Sequence, residues 1–359
     1  MDSTPTAPEA GAHRIRAIHV LAAPIVAAIV VLPWLGASGY VMSVGTFMGM
    51  FALLAIGLNL VIGNAGQASL GQAGFFGLGA YTYAILAATY EWPIAAALVL
   101  SAVVPAVVGV ALGWLVLRLS GHYLAMATLA FAVIMHRLFL TLPITGGAVG
   151  IYNIPVLPFA SAPGGNLPNL LTYYYLVWAI VALLAIFTHR VVRSRVGRAL
   201  SALREDETAA AMMGVSPARY KVQAFTVSAA FAGIAGALFA SYQAFVGSSA
   251  FTVERSLDVL VMIVLGGLGS VFGSILGAVV WTLLPELLRA SFMPELLRAS
   301  DQLRLFAYGL AVVLIVVLWP TGLMGALAGL AQRIERVLPP WRSSPTRQPG
   351  PVPVERRLP

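Results

Sequence analysis

The sequence predicts an all-α polytopic membrane protein with about eight to ten transmembrane helices, at least one of them broken or re-entrant. Three observations predict it. The chain of 359 residues is 60% hydrophobic and only 9% charged, with a mean hydropathy of +0.90, where soluble domains are about 25% charged. From Ala17 to Leu117 a single side chain, Glu91, is charged. A charge at mid-bilayer costs roughly 2.5–3.5 kcal/mol on insertion scales, so membrane burial accounts for that purity. Finally, charge concentrates in one hydrophilic block, Arg190 to Lys221, which holds Arg190, Arg193, Arg195, Arg198, Arg204, Arg219 and Lys221 together with the acidic run Glu205-Asp206-Glu207.

Taken in order, residues 1–16 are a polar tail expected in the cytoplasm, and residues 17–330 form the membrane domain. Arg14 and Arg16 precede an apolar run at 17–35, which lacks a persuasive small-x-small cleavage site and reads as an uncleaved first helix. Further spans are expected near 40–63, 69–90, 93–117, 122–142, 171–190, 222–246, 257–284 and 303–320. Lysine and arginine bias puts the N-terminus inside; six crossings then return block 190–221 to the cytoplasm and leave the proline-rich loop 143–170 in the periplasm. Three further simple crossings would strand the Arg-rich tail outside. A break at Gly266-Gly267-Leu268-Gly269 restores parity and returns the tail, 331–359, to the cytoplasm, where its many prolines predict disorder. Residues 285–302 duplicate the segment PELLRAS and suit a short interfacial helix.

Small residues recur at helical spacing: Gly269, Gly273 and Gly277; Ser228, Ala232, Gly236 and Ala240; Gly109 and Gly113. In lipid such stripes let backbones approach closely, so they are expected to pack helices.

The chemistry that is missing narrows the function. Cysteine is absent, and the five histidines form no ligand-spaced cluster. No H-E-x-x-H or G-x-S-x-G occurs, and the single lysine, Lys221, follows Arg219-Tyr220, so no phosphate-binding G-x-x-x-x-G-K-[ST] loop exists. The formal charge of +8 lies in loops and tails, as topology demands, which excludes nucleic acid as a partner. Ion-coupled carriers bury ionisable groups within their spans. Here Glu91, Arg137, Glu254 and Asp258 all lie near predicted span ends, which weakens that class without removing it. No cofactor is expected in this chain.

Within the block, Leu200 to Met213 reads as one short helix stopped by Gly214, with Ser216-Pro217 as the N-cap and first residue of the next. The stretch Glu207-Thr208-Ala209-Ala210-Ala211-Met212-Met213-Gly214 resembles the E-A-A-x-x-x-G coupling-loop pattern of ABC importer permeases, although Thr208 separates the glutamate from the alanines and no I-x-L-P follows. The longer segment 197–240, with "GLNLVIGNAGQASLGQAGFFGLGAY" (57–81), "TGGAVGIYNIP" (145–155), "VLGGLGSVFGSILGAVVWTLLPELLR" (264–289) and "LRLFAYGLAVVLIVVLWPTGLMG" (303–325), resembles the LivM/LivH permeases for branched-chain amino acids, and specifically the LivM type.

That resemblance implies a subunit of an ATP-driven importer in the bacterial inner membrane. Its expected partners are two ABC ATPase subunits that carry ATP and magnesium, a second related permease, and a periplasmic binding protein that delivers solute. Arg204, Glu205, Asp206, Glu207, Ala209, Ala210 and Gly214 become the expected ATPase contacts. For the solute route, Asn59, Asn64, Gln67, Ser69 and Gln72 offer uncharged hydrogen-bonding groups among helix-loosening glycines; the same groups could equally bond across helices. Thr145, Gly146 and Gly147 are further candidates. Ala148-Val149 replaces polar residues expected there, so urea or amides remain alternatives to branched-chain amino acids, with an ion-coupled carrier as the other reading.

Overall fold

The computed structural model describes residues 39–116, 121–157, 167–289, 301–319 and 322–326. The expected first helix at 17–35, both tails and the second PELLRAS copy lie outside the described residues. Helix α1 (Gly39–Asn59) runs into a π-helical turn, Leu60–Asn64; α2 (Gln72–Ala84) ends in another, Ile85–Thr89. Then follow α3 (Ile94–Val116), α4 (His122–Thr141), strand β1 (Ile151–Tyr152), α5 (Leu167–Arg193), the short α6 (Arg195–Glu205) and α7 (Glu207–Met212), α8 (Pro217–Gln243), β2 (Phe245–Val246), α9 (Val253–Gly266), α10 (Val271–Arg289) and α11 (Asp301–Leu318).

Among the described residues, α1 with its π turn, α3, α4, α5 and α8 are each long and apolar enough to cross a membrane. They divide by position. Of the most apolar stretch, 72% is buried in α1 and α8 but only 22% in α3 and α4, so the first two form the centre and the others turn apolar faces outward. Val103, Val107, Trp114 and Leu115 of α3 and Met126 and Ile134 of α4 are exposed, as a lipid-facing surface requires.

The expected span at 69–90 is corrected. Residues 66–71 are not helical, and α2 begins only at Gln72. This helix is short, 13 residues, and almost wholly buried, packed between α3 and α8. Close backbone approach makes that possible: a Cβ on Gly79 would lie 2.3 Å from the Gly233 carbonyl oxygen, and one on Gly236 2.1 Å from that of Phe76. Gly109 packs on Ala229, and Gly113 on Val222, in the α3–α8 contact. An aromatic cluster of Phe76, Phe239, Phe251, Tyr81 and Phe139 fills the space around this crossing.

Helices α9 and α10 are bent by 118° at a break of four residues, where the glycine cluster predicts it. Gly267 and Gly269 take positive φ (118° and 82°), a conformation that costs other residues about 1–2 kcal/mol. Where the interfacial helix expected at 285–302 would begin, α10 continues through Pro285 to Arg289; residues 290–300 of that expectation lie outside the described residues. At the other end of the molecule β1 pairs antiparallel with β2, Ile151 opposite Val246, a two-residue ladder no sequence periodicity announces.

Candidate functional site

The hydrophilic block forms two helices where one is expected. Asp206 separates them: its backbone is extended, and its Oδ1 accepts hydrogen bonds from the amides of Thr208 (2.8 Å) and Ala209 (3.0 Å). An aspartate free to cap two orphan amides ends one helix and starts the next. Ser194 caps α6 through the Val196 amide. Gly214 turns the chain at φ 82°, and Pro217 opens α8 as its first residue; Ser216 occupies the cap position but its hydroxyl makes no cap bond.

Amphipathic α6 seats this unit. Leu200 and Leu203 are buried, and Leu200 packs with Leu60, Val61 and Ala65 of the first π turn and Phe225 of α8. Two polar ties reinforce that apolar contact. The Arg204 guanidinium donates to the Gly63 carbonyl, and the Lys221 ammonium, 8% exposed, donates to Glu207 at 2.6 Å. Arg204 and Glu207, expected to make polar contacts at the edge of the ATPase groove, also bond within the chain while staying partly exposed. Ala210 is buried. What faces outward is Glu205, Asp206, Ala209, Met212, Met213 and Gly214, with Arg204 exposed beside them. Met212 and Met213 are 84% and 85% exposed, two adjacent apolar side chains at the tip of an otherwise hydrophilic block. Sequence reasoning passed over them; that contrast with their neighbours is the signal that could have marked them.

Arg204 leads to a junction of broken segments. Asn59, 2% exposed, donates through Nδ2 to the Ser270 carbonyl (2.9 Å) and the Ser274 hydroxyl (2.7 Å), while its Oδ1 accepts from the Gly269 amide (2.8 Å). The Asn59 side chain thus satisfies the backbone exposed by the α9–α10 break. Gly63 lies against the same turn: a Cβ there would meet the Gly269 amide nitrogen at 2.4 Å. The block, the first π turn and the glycine break share one contact region.

The other expected pathway residues divide. Gln72 donates to the Leu54 carbonyl and accepts from the Ser228 hydroxyl, so it bonds across helices. Asn64 and Ser69 are buried. Gln67 is 5% exposed and neither amide atom has a partner among the described residues. Thr145, Gly146 and Gly147 do not join this group. Thr145 bonds the Phe139 and Leu142 carbonyls beyond the end of α4, whereas Leu70 bonds Thr128 near its start, about 20 Å away at 1.5 Å per residue. The Gly269 stripe also divides: Gly273 and Gly277 press α10 onto α9, with a Gly277 Cβ only 1.8 Å from the Met262 carbonyl oxygen, while Gly269 belongs to the turn.

Known proteins place this geometry in a family. The family described as "branched-chain amino acid transport system / permease component" matches residues 40–319. The high-affinity branched-chain amino acid transport system permease protein LivM of Salmonella typhimurium is 38% identical over 302 residues, 78% of this chain and 69% of the relative. The LivM protein of Escherichia coli is 37% identical with the same coverage. The LivH permease of Salmonella typhimurium is 24% identical over 300 residues, 77% of this chain and 91% of that protein. No solved structure matches. A multi-pass helical body, a broken span and matched relatives over most of the chain agree, and the protein belongs to the family of branched-chain amino acid transport permease components.

Proposed function

We propose that this chain is one of two transmembrane permeases of an ATP-driven importer in the bacterial inner membrane, carrying branched-chain or similar small amino acids handed over by a periplasmic binding protein. The observation that carries the reading is the bonded path from the hydrophilic block, through Arg204 and Gly63, to the broken span held by Asn59. ATP and magnesium belong to two ATPase partners. Their docking surface is the outward side of the block, where Met212 and Met213 enter an apolar groove and Glu205 supplies polar contact at its edge. When the ATPases move, α6 and α7 move with them; Arg204 pulls on the first π turn and Lys221–Glu207 on α8. The α9–α10 break then changes its geometry and access alternates. Bonds in broken helices can be remade locally without unfolding a whole span. The block and both chain ends face the cytoplasm in this reading, and the β1–β2 end faces the periplasm.

The test is reconstitution of the full complex in proteoliposomes with radiolabelled leucine. Uptake that requires internal ATP, the binding protein and the ATPases supports the proposal. Gradient-driven uptake by this chain without them overturns it.

A further inference from the structure

We propose that Arg255 and Asp258 of α9, with Glu254 beside them, form a transient site for the α-ammonium and α-carboxylate groups of an amino acid midway through the membrane. This rests on the reading of the chain as an amino-acid permease and adds the place where solute passes.

The depth comes from Phe51. It is the thirteenth residue of the 26-residue span Gly39–Asn64, so it lies halfway along. The Arg255 guanidinium sits over its ring, 5.2 Å from the centroid. Arg255 also donates to Asp258 at 3.1 Å, and Tyr308 of α11 lies within electrostatic reach of both. Helix α9 therefore begins near the mid-plane, and its first turns put charges there.

These charges are not sealed. The side chains of Arg255 and Asp258 are 32% and 29% exposed, and Glu254 and Leu257 on the same helix are exposed. Lipid is excluded as their environment, because each charge at mid-bilayer costs roughly 2.5–3.5 kcal/mol. The face must meet water or polar matter. A zwitterion fits what remains unused: the guanidinium has five N–H donors and among the described residues spends one on Asp258, and a carboxylate has lone pairs left for an ammonium group. Phe51, Leu257 and Tyr308 supply apolar surface for an aliphatic side chain. Partial exposure keeps both ions hydrated, so binding is weak and release easy, as passage requires.

Leu257 allows a direct test because the chain has no cysteine. In the complete reconstituted complex, Leu257→Cys should react with a small cationic methanethiosulfonate during turnover, and leucine should slow that reaction at least threefold. Leucine amide, which lacks the carboxylate, and isocaproate, which lacks the ammonium, should not protect. No reaction, or no selective protection by leucine, overturns the site. Arg255→Gln should lower leucine uptake at least tenfold, with ATP hydrolysis stimulated by loaded binding protein within twofold of wild type. The exchange Arg255→Asp with Asp258→Arg keeps an ion pair but reverses its polarity, and should not restore uptake. Restoration to within twofold means that the pair is structural and overturns the proposal, as does full uptake by Arg255→Met with Asp258→Leu. Absence of ATP-dependent leucine uptake in the wild-type complex is a different result and defeats the proposed function itself.

Discussion

Asn59 commits its whole amide to one turn of backbone more than two hundred residues away, donating to Ser270 and Ser274 and accepting from Gly269. Replacing it with leucine strands the Gly269 amide, at about 1–3 kcal/mol, and removes a donor from the Ser270 carbonyl and the Ser274 hydroxyl, which keep their bond to each other. Asn59→Leu should therefore lower the unfolding temperature of the purified protein by several degrees, measured by thermal unfolding in detergent, and an unchanged transition contradicts the assignment. Gly214 makes a contrasting case. A Cβ there meets nothing within 4 Å, so Gly214→Val meets no steric bar inside the chain and only the φ of 82° opposes it. It should cost about 1–2 kcal/mol locally and weaken co-purification of the ATPases, while the spans insert normally. Normal association would mean that the tip of the block is not the docking surface.

At the scale of elements, the α9–α10 pair is the least forgiving contact. Gly277→Leu must push α10 off the Met262 carbonyl, since even a Cβ would lie 1.8 Å away. Overpacking of that kind costs about 1–3 kcal/mol, and a loss of folded yield or a lowered melting temperature should report it. The break itself was legible in the sequence, because clustered glycines and the parity of positive charge pointed to the same four residues. The split between α6 and α7 was not. Asp206 sits in an acidic run that reads as ordinary helix surface, and only its extended backbone reveals the double cap. For Asn59 and Gln72 the sequence leaves two readings, solute ligands or bonds across helices, and their partners lie on helices distant in sequence. Thr145 joins them only through the family resemblance, and the length of α4 keeps them apart. Glu254 and Asp258 fall near a span end in the sequence because the predicted span begins at 257; the observed α9 begins at Val253, with Arg255 over the Phe51 ring.

Across the whole molecule, the block at one end and the β1–β2 ladder at the other define two faces that the charge pattern orients. Single cysteines can be placed on each without background. Tyr152→Cys, on an exposed side chain beside the ladder, should react with an impermeant maleimide in intact cells, while Ser201→Cys in α6 should react only after lysis. The reverse pattern inverts the topology. Between the faces, the centre formed by α1, α2 and α8 is locked by backbone contacts, and the π turn at Leu60–Asn64 is pressed on the break at 267–270 through Gly63 and the Asn59 hydrogen bonds. A π turn and a broken span can exchange hydrogen bonds locally, so motion is expected there. Among the described residues, Arg204 is the one charged link between the block and that junction. The most direct measurement is the number of leucine molecules imported per ATP hydrolysed by the reconstituted complex, with wild-type chain and with Arg204→Ala. The variant should hydrolyse ATP within about twofold of wild type while its import per ATP falls by about tenfold or more, the least expected when a charge-assisted bond worth about 1.5–3 kcal/mol is removed. An unchanged ratio would show that force does not pass through Arg204 and would contradict the coupling path from block to broken span.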